Sequence, residues 1–242
     1  MDDEADQPRS LTAQTYERLR AAIVSARFQP GEKLRIDFLR KEFTASSGAI
    51  REALSRLTSE GLVVAEPQRG FLVAPVSRRD LTDLTDVRID VECRCLASAI
   101  RDGDLAWEGR VLSASHQLSA LGRAYLQTDT PDCRNWHALH QIFHDELTSA
   151  CGNSWWLRLR RQLYIQSERY RRLSGPFAET DRDIPAEHRA IAAAVLDRDV
   201  DAATRAMADH LRATTEILLG SKVLFADSEP TVRKRDAASG GF

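Results

Sequence analysis

Apolar side chains in the first third of the sequence recur at helical spacing and then change to the alternation typical of strands. Three helices are predicted, at about 11–25, 37–43 and 48–60. Two β-rich runs, LVVAEP and FLVAPV, lie on either side of Gln68-Arg69-Gly70 and predict a hairpin. Three helices followed by a hairpin outline a winged helix-turn-helix, which we place at 10–77, after a polar N-terminus at 1–9 that is predicted to be disordered.

The rest of the chain shows long amphipathic segments and no strand signal. Six helices are predicted, at about 80–101, 105–127, 135–150, 154–173, 185–197 and 199–219. Segments of this length and pattern favour an all-α bundle, which we place at 78–224, followed by a tail at 225–242 that is predicted to be disordered. The expected fold class is therefore mostly α, with a winged helix-turn-helix followed by an all-α helical bundle.

Charge is divided unevenly between these two regions. The whole chain carries −2, but Pro8 to Arg79 holds 13 Lys and Arg against 7 Asp and Glu, whereas the chain from Asp80 onward holds 21 against 25. A basic region followed by an acidic one suggests two different tasks. No apolar run reaches the roughly 20 residues of a membrane span, and the acidic N-terminus does not resemble a signal peptide, so we expect a cytoplasmic protein. The four cysteines lack zinc-site and redox-motif spacing and are expected to be free thiols.

Small and basic side chains occupy the outer side of the third predicted helix and the tip of the hairpin. In a helix-turn-helix this helix lies in the major groove, where Arg51 would suit a phosphate or a guanine edge. Ser46 and Ser47 are small enough to let a phosphate approach the helix N-terminus, whose dipole favours negative charge. Arg69 and Gly70 at the wing tip suit the minor groove. The spacing of these residues alone is equally compatible with an ordinary surface helix that has a solvated basic face.

Histidines are concentrated in the stretch HALHQIFH at 137–144, and others lie on apolar stripes further along the chain. On a helix, His140 and His144 share one face. His188 and His210 each fall on the inward stripe of a later helix. One such histidine is usually a satisfied core residue, but neutral imidazoles converging from three helices need shared partners, which a divalent cation would supply. Spacing alone leaves a metal site and ordinary core histidines equally open.

The sequence from about residue 10 to residue 77 resembles the winged-helix domain of the GntR family of bacterial repressors. The motifs PGEKL, IREALSRL, GLV and QRGFLVAPV carry the resemblance. The helical remainder resembles the ligand-sensing domain of the FadR subgroup of that family. The resemblance implies a DNA-binding transcriptional regulator, with Arg51, Arg69 and Gly70 at DNA-facing positions. Ser47 stands where the family commonly has a base-contacting arginine, so an atypical operator is expected.

The same resemblance assigns the histidines to a metal site. The sensing domain of the subgroup typically has Asp/Asn-x-x-Phe-His and two later histidines, and the matching positions here are His140, His144, His188 and His210. The last three would be imidazole ligands, whereas His140 stands where the family has a carboxylate or an amide. A neutral nitrogen there favours Zn²⁺, with Ni²⁺ second, over an ion of the Mn²⁺ type.

Open coordination positions on such an ion would accept the carboxylate of a small organic acid, as is general in the subgroup. Arg88 lies where the family has an inward arginine and would bind the acid bidentately. An ion pair between Arg88 and Glu92, four residues apart on a helix, is the alternative. His137 is expected to line the effector pocket or to support the ligands.

These expectations describe a regulator and not an enzyme. It would be a homodimeric repressor, because two-fold symmetry doubles the contacts with a near-palindromic operator. A small carboxylate effector at the metal would control its affinity for the operator. Two alternatives stay open, namely a metal that only stiffens the bundle and a helical-bundle metallohydrolase with a zinc-activated water.

Overall fold

The computed structural model describes residues 10–124, 130–173, 182–220 and 225. Over these ranges the elements are α1 (Leu11–Val24), α2 (Ile36–Phe43), α3 (Ser47–Ser59), β1 (Val63–Glu66), β2 (Gly70–Val73), α4 (Arg78–Asp102), α5 (Leu105–Ala120), α6 (Pro131–Thr148), α7 (Ser154–Leu173), α8 (Ile184–Leu196) and α9 (Val200–Gly220). The predicted fold class is confirmed. We call α1–α3 with the hairpin the N-terminal domain, and α4–α9 the helical domain.

Serine caps begin two helices of the N-terminal domain. Ser10 accepts a hydrogen bond from the N–H of Ala13 at 3.2 Å, and Ser46 accepts one from Ala49 at 3.2 Å. Between α2 and α3, Thr44 adopts a left-handed conformation with a φ of 52°, which allows the sharp turn of a helix-turn-helix. The apolar faces of the three helices meet in one core, in which the fully buried side chains include Leu19, Leu39, Ile50, Leu54 and Leu57.

The hairpin lies against these helices. Its register pairs Val63 with Val73 and Glu66 with Gly70. Gly70 has a φ of 88°, a conformation that glycine adopts without the steric cost that a side chain would bring. Lys33, in the loop after α1, forms a single bridge to Leu72 and so ties that loop to the hairpin.

Aromatic and aliphatic side chains fill the core of the helical domain. Trp107 is 1% exposed, and its indole N–H donates to the carbonyl of Glu146 at 2.8 Å. Gly103 packs so closely against this indole that a Cβ would lie 2.1 Å from it. Around the indole the core contains Val111, Phe143, Leu147, Ile191, Val195 and Met207.

Two helix boundaries differ clearly from the sequence prediction. The segment predicted to run to residue 127 ends at Ala120, and Gly122 follows with a φ of 50°. The segment predicted to begin at 135 begins at Pro131, because the Thr130 side chain accepts a hydrogen bond from the N–H of Cys133 at 3.1 Å. The predicted break at 174–176 and the predicted disorder at 1–9 lie outside the described residues, as does the tail except for residue 225.

Helix α7 joins the two domains. Ile165 packs against the core of the N-terminal domain, and the Gln166 side chain donates to the carbonyl of Glu60 at 2.7 Å. Arg169 donates to the carbonyl of Pro75 at 2.9 Å. A small buried cluster completes the junction and consists of Val76, Leu81, Tyr170, Leu218 and Phe225. Phe225, which the sequence prediction assigned to the tail, is only 4% exposed.

Neither membrane-spanning helices nor disulfides are found in the described part of the chain. Over these ranges no helix combines the length and the apolar character needed to cross a bilayer. All four cysteines are free thiols. Burial raises the pKa of Cys93 to about 11 and that of Cys95 to about 12, so both thiols stay protonated near neutral pH.

Candidate metal centre

Four histidine side chains converge in the interior of the helical domain. Helix α6 contributes two of them and α8 and α9 one each; together we call them the histidine cluster: His140, His144, His188 and His210. Their potential ligand atoms all lie within 4.8 Å of one another. Each residue is at most 5% exposed. The structure therefore brings together the four residues that the sequence analysis proposed as metal ligands.

Local sequence explains how these helices position the rings. His140 and His144 are one turn apart on α6, so both rings lie on the same side of the helix. Helix α8 begins at the cap residue Asp183, which accepts a hydrogen bond from the N–H of Ala186 at 3.0 Å. That start places His188 on the buried face of α8, where its ring centroid lies 5.0 Å from that of His140.

Burial keeps these imidazoles neutral. Desolvation lowers the pKa of His140, His144 and His188 well below the ordinary value of 6.5, and repulsion from neighbouring cationic groups lowers it further. Burial also lowers the pKa of His210 to about 4, against the opposing effect of Glu187. Because the neutral imidazole is the form that binds a metal, all four rings are suitable ligands near neutral pH.

Several ring nitrogens of the cluster lack a hydrogen-bond partner. Among the described residues, neither nitrogen of His144 nor Nε2 of His188 has one. A buried polar atom without a partner costs about 1–3 kcal/mol, so such atoms indicate a binding partner. The potential ligand atoms lie close enough together, within 4.8 Å, to converge on a single divalent cation. The donor set fits a divalent cation that prefers nitrogen ligands.

A carboxylate next to the cluster orients one imidazole. The Nδ1–H of His210 donates to Oε2 of Glu187 at 2.8 Å, and Arg182 binds both oxygens of the same carboxylate at 2.6 and 2.5 Å. Although burial raises the pKa of Glu187, hydrogen bonds from His210 and Arg182 lower it to about 2. This geometry places the proton on Nδ1 and leaves Nε2 of His210 for a metal. Sequence reasoning missed both Glu187 and Arg182; the acidic residue in EHRAI was the one available signal.

Whereas His210 has a carboxylate beside it, His140 has a cationic neighbour. Nη1 of Arg171 lies 3.1 Å from each ring nitrogen of His140, and the Tyr164 hydroxyl lies 3.1 Å from Nδ1. Arg171 is held in turn by Glu168. Coordination of a metal through His140 therefore requires the guanidinium of Arg171 to move away.

Arg88 lies buried beside these groups, and among the described residues no carboxylate oxygen lies within 4.0 Å of its guanidinium nitrogens. It is 4% exposed, its Nη1 donates to the Ser167 hydroxyl at 2.6 Å, and its guanidinium lies 5.2 Å from the centroid of Tyr164. Nε of Arg88 has no hydrogen bond within the described ranges. Glu92 pairs with Arg160 at 3.0 Å, so the ion pair with Arg88 that spacing allowed does not form. Burial lowers the pKa of Arg88 to about 10.

His137 lies one turn before His140 but is not part of the cluster. Its Nδ1 lies 3.2 Å from Oε1 of Glu168. Although burial raises the pKa of Glu168, its contacts with Arg171, His137 and Arg172 hold it far below the usual range. His137 therefore adds to a polar wall that α7 builds against the cluster.

Sequence reasoning did not find this wall of α7. It consists of the buried side chains of Arg160, Tyr164 and Glu168, together with the partly buried side chain of Arg171. Arg160, Tyr164 and Glu168 are spaced four residues apart, which places them on one face of the helix. This spacing was the signal that the sequence offered.

The residues predicted to contact DNA lie on the surface of the N-terminal domain. Ser46 caps α3, Ser47 is its first residue, and Arg51 is exposed one turn later. Arg69 has a side chain that is 76% exposed and lies 3.0 Å from a carboxylate oxygen of Glu66. Apart from Gly70 and its two chain neighbours, no atom of the described residues lies within 4 Å of where a Cβ on Gly70 would be, so this turn is open to approach.

Comparison with known protein families covers both domains. Residues 11–73 match the model of the bacterial regulatory proteins of the gntR family, and residues 83–213 match the FCD domain. The chain belongs to the GntR family. This GntR-family protein is a DNA-binding transcriptional regulator and not an enzyme, because its matched families and its relatives are regulators.

Relatives extend over most of this GntR-family chain. The uncharacterized HTH-type transcriptional regulator BphR of Paraburkholderia xenovorans (strain LB400) is 37% identical over 210 residues, or 87% of this chain and 86% of the relative. The HTH-type transcriptional repressor GlaR of Escherichia coli (strain K12) is 35% identical over 200 residues, or 81% of this chain and 90% of the relative.

Solved structures share the fold. A GntR transcriptional regulator from Rhodococcus sp. RHA1 superposes with a TM-score of 0.71 at 23% identity, covering 88% of this chain and 99% of the other. McbR/YncC of E. coli gives a TM-score of 0.69 at 19% identity, covering 87% and 98%. At these identities the likeness concerns the architecture alone.

Proposed function

We propose that this regulator is a repressor whose affinity for its operator is controlled by a small carboxylate bound at a histidine-ligated metal ion. The observation that carries this proposal is the convergence of four buried imidazoles with ligand atoms within 4.8 Å of one another, several of them without partners. Ordinary core histidines satisfy their ring nitrogens with protein hydrogen bonds. Because it acts on DNA, the protein would work in the cytoplasm.

The metal ligands would be His140, His144, His188 and His210. Four neutral nitrogens favour Zn²⁺, with Ni²⁺ second, because imidazole suits both ions and no carboxylate is among the ligands. Bound there, the ion would supply a Lewis acid that accepts a carboxylate oxygen. His140 is the member already engaged by Arg171 and Tyr164, so the other three form the firmer part of the set.

The effector would bind on the α7 side of the cluster. Arg88 would receive its carboxylate, which would accept hydrogen bonds from this buried guanidinium, including one from Nε, which has no acceptor among the described residues. His137, held by Glu168, would line the same pocket. A small organic acid is therefore the favoured class of effector.

In the N-terminal domain, α3 would lie in the major groove with Ser46, Ser47 and Arg51 toward the DNA, and Arg69 and Gly70 would enter the minor groove. A homodimer would read a near-palindromic operator, because two copies double the contacts of one domain. Repression, rather than activation, is supported by the relative GlaR, which is a transcriptional repressor.

Metal binding is the first test. Zinc content and zinc affinity would be measured for the wild-type chain, for His188→Ala and for the matched control His116→Ala, whose histidine is exposed on α5. We expect one zinc ion per chain in the wild type and the control, and its loss in His188→Ala. A wild-type chain that binds neither Zn²⁺ nor Ni²⁺ would overturn the metal site.

Effector binding is the second test. Fluorescence anisotropy on DNA from the region upstream of the gene would be measured for the zinc-loaded protein with a panel of small organic acids. An acid that shifts operator affinity in the wild type but not in Arg88→Met supports the sensor. If the metal binds but no acid changes operator affinity, the metal only stiffens the bundle.

A further inference from the structure

A polar cleft lies between the N-terminal domain and α7. Its volume is about 320 Å³, within the range of small-ligand sites. Helices α1 and α3 supply one wall and α7 the other, and no residue that lines the cleft belongs to the histidine cluster. The charged residues of the cleft are Glu17, Arg20, Arg56, Glu60, Arg158 and Arg161.

Two carboxylates line this cleft, Glu17 and Glu60, and the second is already engaged. Glu60 accepts a hydrogen bond from the Tyr16 hydroxyl and lies 3.5 Å from Nε of Arg20. Arg56 stacks on the ring of Tyr16, 3.8 Å from its centroid, instead of pairing with an acid. Arg56 is exposed on α3 and lines the cleft from that side.

The positive charges of the cleft exceed what its carboxylates neutralise. Arg158 lies over Trp155 at 4.4 Å, and Arg161 is exposed. Across the described part of the chain, no carboxylate oxygen lies within 4.0 Å of the guanidinium nitrogens of Arg56, Arg158 or Arg161. Nε of Arg20 is ion-paired with Glu60 but makes no hydrogen bond within the described ranges. The cleft therefore offers cations and N–H donors without matching acceptors.

We propose that this cleft binds a small polyanion of the phosphate class, such as a phosphorylated metabolite. Guanidinium groups present a planar fork of N–H donors that matches phosphate oxygens. Three guanidinium groups without a paired carboxylate, on the walls of one cleft, match a ligand that carries more than one negative charge. A single carboxylate would leave most of these donors unused.

The position of the cleft gives such a ligand a regulatory role. Arg56 belongs to α3, which carries the residues proposed to read DNA, whereas Arg158 and Arg161 belong to α7. A ligand that contacts both walls favours the arrangement of domains in which the walls are close together. Its binding and operator binding must then affect each other by the same factor.

Calorimetric titration of the full-length protein with inorganic pyrophosphate tests the proposal. The test variant is Arg158→Gln/Arg161→Gln, and the control is Arg205→Gln, an exposed arginine of α9 outside the cleft. Hydrogen bonds to charged groups contribute roughly a factor of ten or more each, so the double variant should bind about a hundredfold more weakly. The control should bind as the wild type does, at matched ionic strength.

Three outcomes would overturn the proposal. The first is no saturable binding to the wild type at millimolar pyrophosphate, and the second is equal binding by the double variant. The third is weaker operator binding by the double variant than by the wild type when no pyrophosphate is present. That result would show that these arginines contact DNA. Pyrophosphate binding retained in His188→Ala would show that the cleft is independent of the metal site, so either proposal can fail alone.

Discussion

Replacement of Glu187 tests whether the histidine cluster is built to hold a metal. Its carboxylate accepts the Nδ1–H of His210 at 2.8 Å and is bound on both oxygens by Arg182. Glutamine keeps the shape and an acceptor oxygen but removes the negative charge that makes the imidazole a stronger donor to a metal. Alanine removes the charge and the hydrogen bond together, so the ring of His210 also loses its orientation.

The size of the effect follows from these contacts. Partners of this kind typically contribute 10- to 100-fold in metal affinity. Glu187→Gln, which keeps a neutral hydrogen bond, should weaken Zn²⁺ binding about tenfold, or roughly 1.4 kcal/mol. Glu187→Ala should approach a hundredfold loss, or roughly 2.8 kcal/mol. Glu216→Gln, an exposed residue on the same helix as His210, should leave the affinity unchanged.

Competition with a zinc chelator of known affinity gives the measurement, and circular dichroism confirms that each variant is folded. Nitrogen chemical shifts of the histidine rings supply a second readout, because His210 should carry its proton on Nδ1 in the wild type and lose this preference in Glu187→Ala. If Glu187→Ala binds zinc as tightly as the wild type while His188→Ala does not, the carboxylate does not orient a ligand. If Glu187→Ala and His188→Ala both bind zinc as tightly as the wild type, the metal binds elsewhere.

Three further substitutions test neighbouring features. Arg88→Met should raise the melting temperature of the effector-free protein by a few degrees, because an apolar side chain replaces a buried guanidinium that has no ion pair with any described carboxylate. A clear fall in the melting temperature, measured by calorimetry, would contradict this. Arg171→Gln should tighten zinc binding several-fold in the chelator assay, because it removes a cation 3.1 Å from the ring of His140, and weaker binding would contradict it. Gly103→Ala should destabilise the chain by about 1–3 kcal/mol in urea unfolding, because its Cβ would lie 2.1 Å from Trp107. Gly109→Ala is the control, because a Cβ there meets no atom within 4 Å among the described residues outside its own helix backbone. Equal stability of both variants would refute the steric reasoning.

Periodicity alone predicted the two-part fold because each helix buries one apolar face. The errors occurred where a single capping group decides a boundary. Thr130 starts α6 four residues before the predicted position, and the turn after Ala120 ends α5 before its apolar pattern does. The burial of Phe225 could not be predicted, because the cluster that it shares with Val76 and Tyr170 brings together distant parts of the chain.

The candidate site was predicted in part. His140 and His144 are one turn apart, and His188 and His210 lie on apolar stripes, so local patterns indicated that all four face inward. The partners of these rings depend on how helices pack against each other, which no local pattern specifies. For this reason the contact of Arg171 with His140 was visible only in the structure.

Helix α7 connects the histidine cluster with the N-terminal domain through neighbouring residues. Tyr164 and Arg171 contact His140, whereas Ile165 packs against the core of the N-terminal domain and Gln166 binds the carbonyl of Glu60. Because consecutive residues of a helix move together, a ligand that displaces Arg171 and shifts α7 must also shift these contacts. The effect on the operator is then limited by the difference in the ligand's affinity for the two positions of α7, and not by the distance between the sites.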